Sequence, residues 1–115
     1  MFSKERAEEI AYLTEGMALD AVWMYVRQDY GKFEDSKNAF FWLLGRFLDS
    51  GVIKIGKRGN IIKGDSSDIV ELFRRSFPLS EEELEEGTGL AIWFFSDSCP
   101  GGAVWIGENG EEEWT

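Results

Sequence analysis

The sequence predicts an α+β domain in which about three helices pack on a small antiparallel sheet. Apolar residues recur at intervals of three and four in three separate stretches, as expected of amphipathic helices. Short runs rich in β-branched and aromatic residues alternate with turn signals in the second half of the chain, as expected of strands. The 115 residues, 43% of them hydrophobic, suffice for a single domain, 1–115, with one core.

The first helical pattern extends from Lys4 to about Arg27. Ser3 is the expected N-cap residue of this stretch. Gly16 is a point at which the stretch can divide into two helices, because glycine is a poor helix former.

A second helix is predicted from Asp35 or Ser36 to about Asp49, with Gly51 as the residue that ends it. Apolar side chains surround this segment almost completely, which is typical of a buried helix. We therefore expect it to be the central helix of the core.

A third helix is predicted over 68–77, where Asp68 and Glu71 form a capping box and Pro78 stops the helix. A Ser-x-x-Glu box after the proline predicts a short helical turn over 80–87.

Five short segments are predicted as strands. They are Val52–Ile55, Ile61–Lys63, Ala91–Phe95, Ala103–Ile106 and Glu111–Trp114. The first two form a short basic hairpin, and the last three form a C-terminal three-stranded meander with turns at 96–102 and at Asn109–Gly110. Strand alternation would place Trp93 and Phe95 on one face of the sheet and Phe94 on the other.

The net charge of the chain is concentrated at its C-terminal end. The formal charge is −10, from 22 acidic and 12 basic residues. Residues 1–75 contain all 12 basic residues and 12 acidic ones, whereas residues 76–115 contain 10 acidic residues and no basic one. Such a run is either a solvated face or a surface that attracts a partner of opposite charge.

We expect the acidic region to bind a basic protein. Aromatic residues are interleaved with the carboxylates, and aromatic anchors in a field of one sign suit a protein interface. The same field repels phosphate groups, so nucleic acid and anionic membranes are not expected partners. The predicted partner-binding residues, with Asp97 nearest the centre, are Glu81, Glu82, Glu83, Glu85, Glu86, Asp97, Glu111, Glu112, Glu113, Trp105 and Trp114.

The sequence contains little that indicates catalysis. It has no histidine, which is the commonest general base and metal ligand, and only one cysteine. Cys99 lies in an acidic segment that disfavours a thiolate, so Cys99–Gly102 is interpreted as a turn. No spacing selects a carboxylate pair for glycoside hydrolysis or a loop for Ca²⁺. We therefore expect no catalytic residue, no metal site and no cofactor.

One feature favours nucleic-acid binding instead. A helix followed by a hairpin that carries Lys54, Lys57, Arg58 and Lys63 is similar to a winged-helix DNA reader. However, the first 75 residues are neutral overall and none of the predicted helices has a basic face. An equally good interpretation is that these cations pair with acidic groups of the same chain.

Several segments resemble a family of small acidic bacterial proteins of unknown function. The segments are Ile92–Phe95, Cys99–Gly102, Val104–Trp105 and Gly110–Thr115, with Ala18–Tyr25 and Phe41–Leu44 upstream. The similarity covers nearly the whole chain and transfers no catalytic residue. Small acidic proteins of this kind resemble immunity proteins of polymorphic toxin systems, including contact-dependent growth inhibition.

The resemblance implies an immunity protein that binds and neutralises a cognate toxin domain. A basic, nuclease-like toxin would suit the acidic surface. The N-terminal residues lack the apolar segment of a signal peptide, and none of the apolar runs is long enough for a bilayer, so the expected location is the cytoplasm. The alternatives are a self-associating adaptor and, with less support, a small enzyme or a nucleic-acid binder. The free protein is expected to be a monomer or a homodimer.

Overall fold

The computed structural model describes residues 1–84 and 91–115, in which helices cover one face of a four-stranded antiparallel sheet. The helices are α1 (Lys4–Thr14), α2 (Leu19–Asp29), α3 (Phe33–Ser50), α4 (Ser66–Ser76) and the short α5 (Glu81–Leu84). The strands are β1 (Ile53–Lys57), β2 (Asn60–Ile61), β3 (Gly102–Ile106) and β4 (Glu112–Trp114), and Ile92–Phe95 forms a 3-10 turn. The predicted α+β class is confirmed. No helix in the described ranges is both long and apolar enough to cross a membrane.

The first helical stretch divides into two helices around Gly16, as its glycine suggested. The Ser3 hydroxyl oxygen accepts a hydrogen bond from the Arg6 amide at 3.0 Å, so Ser3 is the N-cap of α1. The break lets α2 change direction, and α2 then buries Trp23 and Val26 in the core.

Helix α3 begins at Phe33, slightly earlier than predicted, because the Ser36 amide donates to the carbonyl of Lys32 at 2.9 Å. Gly51 ends the helix at a φ of +78°, which confirms its predicted role. The helix is buried over one broad face, whereas Trp42 is only half-buried and Arg46 is exposed. The helix is therefore less completely buried than its apolar sequence predicted.

Helix α4 is capped by a different residue pair from the one predicted. The Asp68 amide donates to the Asp65 carboxylate at 2.9 Å, and the Asp65 amide donates to the Asp68 carboxylate at 3.3 Å. The box is therefore Asp65 with Asp68 instead of Asp68 with Glu71, and the helix begins at Ser66. The hydrogen bond from the Asp68 amide is the main cause of the lowered pKa of Asp65.

The predicted strand Ala91–Phe95 is wrong, because this segment folds as a 3-10 turn. The Phe94 amide donates to the Ala91 carbonyl at 3.1 Å, which tightens the chain locally. Trp93 and Phe94 are both buried and Phe95 is 62% exposed, so the predicted alternation of the three rings is also wrong. Packing of two consecutive rings into one core outweighed their β propensity.

The sheet has the strand order β2-β1-β3-β4, so the predicted hairpin and the last two strands of the predicted meander belong to one sheet. Strand β3 lies between β1 and β4 and is antiparallel to both. Ile53 pairs with Trp105, and both are buried on the side of the helices. Lys54 pairs with Val104 on the outer side, and Val104 in turn pairs with Trp114.

The two hairpin turns differ in length. Arg58 and Gly59 link β1 to β2, and both have positive φ angles, as a two-residue type I′ turn requires. Between β3 and β4 the Gly107 amide donates to the Glu111 carbonyl at 2.8 Å, so the loop has three residues instead of the predicted two. Gly110 takes the left-handed conformation typical of such loops.

Phe77 lies at the centre of an aromatic cluster between the helices and the 3-10 turn. Its ring centroid is 5.0 Å from that of Trp93 and 5.3 Å from those of Trp23 and Phe41. Its other ring contacts are Phe33, Phe40 and Phe94. The cluster therefore connects α2, α3, the end of α4 and the 3-10 turn in one core.

Replacing Gly101 by alanine should destabilise the protein, because an added Cβ would lie 2.7 Å from both the Gly56 carbonyl oxygen and Ile55 Cγ2. We expect a loss of about 1–3 kcal/mol in the free energy of unfolding, measured by urea denaturation. Gly31→Ala is the matched control, since a Cβ there meets no atom within 4 Å. Equal stabilities of the two variants would contradict the close approach of Gly101 to β1.

Candidate functional site

Helix α5 presents the first group of predicted acidic residues. Leu84 is fully buried and fixes the helix beside the 3-10 turn, so Glu81, Glu82 and Glu83 are exposed. Glu81 accepts a hydrogen bond from Arg27 at 2.6 Å and forms an ion pair with it. The negative charge of Glu81 is therefore compensated by Arg27.

The other two glutamates of α5 differ in their contacts. The Glu83 amide donates to the Ser80 hydroxyl oxygen at 3.2 Å, and the Glu83 carboxylate accepts from the Leu79 amide at 2.9 Å. Glu83 thus helps to start the helix, as the Ser-x-x-Glu motif predicted. Glu82 makes no hydrogen bond or ion pair with the described part of the chain, which leaves its charge free to act on a partner.

Exposed apolar side chains accompany these carboxylates. Leu79 is 77% exposed, and Phe95 and Ile92 are exposed on the 3-10 turn that α5 contacts. We call Leu79, Glu81–Glu83, Ile92 and Phe95 the α5 surface. Its apolar members were not among the predicted site residues, although four consecutive apolar residues at 92–95 indicated that at least one would face solvent.

Strand β4 presents the second group of acidic residues. We call Glu111–Trp114 the β4 edge, because β4 is the last strand of the sheet and all its residues are exposed. Within the described ranges, Glu111, Glu112 and Glu113 form no ion pair. The edge therefore combines an open strand with uncompensated negative charge.

Trp114 is exposed over only 41% of its surface, because its ring lies across the outer face of the sheet. An added Cβ at Gly56 would overlap this ring, and it would also lie 2.9 Å from Val104 Cγ2. The Trp114 indole N–H donates to the Glu112 carboxylate at 3.2 Å. Trp114 thus covers the glycine of β1 while keeping part of its ring available to a partner.

Trp105 does not belong to a binding surface, contrary to the prediction. It is only 4% exposed, and its indole N–H donates to the Met17 carbonyl at 2.8 Å. Its ring packs against Phe47 with a centroid distance of 6.3 Å. Trp105 is a core residue because β3 lies inside the sheet and directs this side chain toward the helices.

The structure does not bring the two acidic groups together. Glu81 lies beside Arg27 near the C-terminal end of α2, whereas the Glu113 carboxylate lies beside Gly16, which precedes the N-terminal end of α2. Helix α2 has 11 residues, which separates its ends by about 16 Å. The acidic region is therefore two surfaces on one molecule.

Asp97, which was expected near the centre of one surface, lies beside the basic hairpin. Its carboxylate is 3.7 Å from Arg58 Nη2, and both side chains are highly exposed. Lys57 Nζ donates to the backbone carbonyls of Asp97 and Cys99 at 2.8 and 3.0 Å. Two cations of the basic hairpin thus contact the segment that carries Asp97, which agrees with the interpretation that they pair within the chain.

Two predicted site residues, Glu85 and Glu86, lie outside the residues that the structure describes. They directly follow α5 in the sequence and add two carboxylates to the C-terminal excess of charge.

A groove of about 840 Å³ runs between α1, α3 and α4. Phe41 and Trp42 contribute to its apolar lining, and charged side chains of both signs surround them. The charged lining residues are Lys4, Glu8, Arg46, Asp49, Glu71 and Arg74. Since these charges balance, the groove has no preference for a cationic partner and differs from the acidic surfaces.

The Cys99 thiol is held in its neutral form. Burial raises the pKa of Cys99 from its ordinary value of 9.0 to about 11, despite the opposing effects of the Gly101 backbone and Lys57. The thiol donates to the Gly101 carbonyl at 3.4 Å, inside the turn that leads to β3. A buried thiol with a raised pKa is a poor nucleophile.

No group of three or more His, Cys, Asp or Glu side chains within residues 1–84 and 91–115 is arranged to hold a metal ion. The carboxylates of α5 and β4 are exposed and project from two separate elements. What these side chains can supply is electrostatic attraction for cationic groups on a partner.

The description "Protein of unknown function, DUF596" matches residues 48–115, which include the end of α3, the sheet, α4 and both acidic surfaces. The chain belongs to this family. The predicted resemblance to a family of bacterial proteins of unknown function is thereby supported. No curated protein matched the DUF596 chain.

A solved structure from Neisseria meningitidis, described as an uncharacterized protein conserved in bacteria, is similar to this DUF596 chain throughout. The TM-score is 0.83 and the sequence identity is 28%. The similarity covers 96% of this chain and 88% of that one. Helices α1 and α2, which precede the matched family region, therefore belong to the shared fold.

The buried thiol should react slowly with Ellman's reagent at pH 8. A pKa raised by about two units leaves about one hundred-fold less thiolate, so native protein should react at least that much more slowly than unfolded protein. Because the folded-state pKa lies above the ordinary value of 9.0, the thiol's contribution to stability is complete below pH 9 and lost as the pH rises through 11. Cys99→Ala should therefore lose less unfolding free energy than the parent between these pH values. Equally fast reaction of native and unfolded protein would contradict the burial of Cys99.

Proposed function

We propose that this DUF596 protein is a cytoplasmic immunity protein that binds and neutralises a basic, nuclease-like toxin domain. Binding, without catalysis or a cofactor, is its mode of action. The two acidic surfaces make the contacts, and their charges guide the toxin to them.

One observation carries this proposal: each acidic surface combines a large exposed apolar side chain with carboxylate charge that forms no ion pair within residues 1–84 and 91–115. At the α5 surface these are Glu82 and Phe95, and at the β4 edge they are Glu111–Glu113 and Trp114. Exposed aromatic rings supply binding energy when a partner buries them, and uncompensated charge raises the association rate.

The distance between the two surfaces supports a folded domain as the partner. A separation of about 16 Å, the length of α2, is smaller than the diameter of a small protein domain. A single folded domain is therefore large enough to span the distance between the two surfaces. Two contacts on one rigid body favour slow dissociation, which a toxin inhibitor requires.

The proposal predicts that a basic protein is recovered with this chain from cells of the native host, and that salt weakens the complex. The recovered protein is identified by mass spectrometry at low and high ionic strength. Expression of the recovered protein alone should inhibit growth, and its co-expression with this chain should restore growth. Recovery of this chain alone, as a stable dimer in light scattering, would instead support the self-associating adaptor.

Charge reversal tests which surface residues are used. Glu82→Lys combined with Glu111→Lys should lower the association rate with the recovered toxin by about ten-fold at low salt, measured by biolayer interferometry. These two carboxylates make no hydrogen bond within the described residues, so folding should be retained.

The matched control is Glu5→Lys combined with Glu8→Lys, which changes the net charge equally but on the exposed side of α1. When both double variants are compared at about 0.15 M salt, the control should change the association rate by less than about two-fold, because the Debye length is then only about 8 Å. Equal effects of the two double variants would show that net charge alone matters and would contradict the assignment of these surfaces.

A further inference from the structure

We infer that the β4 edge binds an extended, lysine- or arginine-rich segment of the partner as an additional strand of the sheet. This inference rests on the proposed function and specifies how the partner is bound at one of the two surfaces. Three features of β4 favour this mode of binding: the direction of its backbone groups, the charge of its side chains and the position of Trp114.

The hydrogen-bond pattern shows which backbone groups of β4 point away from the sheet. The Ile106 amide donates to the Val52 carbonyl at 3.0 Å, toward β1, and the Gly107 amide donates to Glu111, toward β4. Because these directions alternate along an antiparallel strand, Glu113, which pairs with Trp105, faces β3. The amides and carbonyls on either side of it, at Glu112 and Trp114, therefore point outward.

The outward groups are open to a partner. No strand of the described chain pairs with the outer side of β4, which ends the sheet order. Exposed edge groups are a template for another strand, and peptide recognition by strand addition uses such an edge. Since β4 has three residues, a short segment suffices to match it.

The side chains determine which strand fits. Each residue of an added strand lies about 5 Å from its neighbour on β4, so Glu112 and Glu113 would face the partner's side chains on opposite sides of the sheet. Lysine or arginine on either side would meet an uncompensated carboxylate. In a strand that alternates basic and aliphatic residues, the neighbour of Trp114 is either an aliphatic side chain or the methylene chain of a lysine or arginine.

A second copy of this chain is disfavoured at the same edge. Two β4 strands paired antiparallel about a two-fold axis would bring Glu111–Glu113 of both copies against each other, and like charges in opposed positions destabilise strand pairing. The acidic residues therefore protect the edge from self-association while they leave it open to a basic strand.

The test uses Glu112→Pro and Glu112→Gln. Both variants remove the same charge, but only proline removes the outward amide, and it leaves the ladder to β3 intact. The probe is an acetylated and amidated seven-residue peptide of alternating lysine and valine, with binding measured by calorimetry at low salt. Glu112→Pro should weaken binding at least about ten-fold, and Glu112→Gln no more than about three-fold.

Hydrogen exchange in the unmodified protein provides a second measurement that needs no variant. Saturating peptide should slow exchange of the Glu112 and Trp114 amides, whereas the Glu113 amide, already directed at β3, should change little. The same peptide with glutamate in place of lysine should not protect them. Strand addition would be overturned if the two Glu112 variants bound the peptide equally well, or if the peptide slowed exchange elsewhere in the chain and not at Glu112 and Trp114. Concentration-dependent dimerisation through β4 would also overturn it.

The outcomes separate this inference from the proposed function. If the recovered toxin depends on Glu82 and Glu111 but binds Glu112→Pro and Glu112→Gln alike, the immunity function stands and strand addition fails. If the peptide pairs with β4 but no growth-inhibiting partner exists, strand addition stands and the immunity function fails.

Discussion

The structure depends on the burial of the Phe77 ring among six other aromatic rings. Phe77 follows α4 directly and contacts rings of α2, α3 and the 3-10 turn, so it connects elements that are far apart in the sequence. Truncating a buried aromatic side chain of this kind to alanine typically costs about 3–5 kcal/mol, a large share of the roughly 5–15 kcal/mol by which a domain is stable. Its contact with Trp93 also fixes the 3-10 turn against which α5 lies.

This arrangement allows the acidic residues to remain on the outside. Leu84 and Trp93 are buried in or beside the cluster, and the carboxylates of α5 are consequently held at a fixed place on the surface. At the other end of α2 the buried Trp105 holds β3, and β3 holds β4 with its own carboxylates. Repulsion among the charges is reduced because the two groups lie at opposite ends of a helix.

Local patterns predicted the helices well, and the candidate site only in part. The helix breaks at Gly16 and Gly51 follow from backbone preference, and the Ser3 cap follows from one local hydrogen bond. By contrast, Trp105 and Trp114 were both predicted to bind a partner, yet Trp105 is buried. Composition alone cannot separate core from surface aromatics, because burial depends on contacts with residues distant in the sequence.

The sequence by itself determined the segregation of charge, the positions of most helices and the lack of histidine chemistry, because these depend on residue identity and short-range spacing. Only the tertiary structure decided that β3 pairs with β1 across the intervening α4, which makes β4 an edge strand. It also decided that the acidic groups lie at opposite ends of α2. These outcomes depend on long-range pairing and on competition for a single core, which local patterns do not specify.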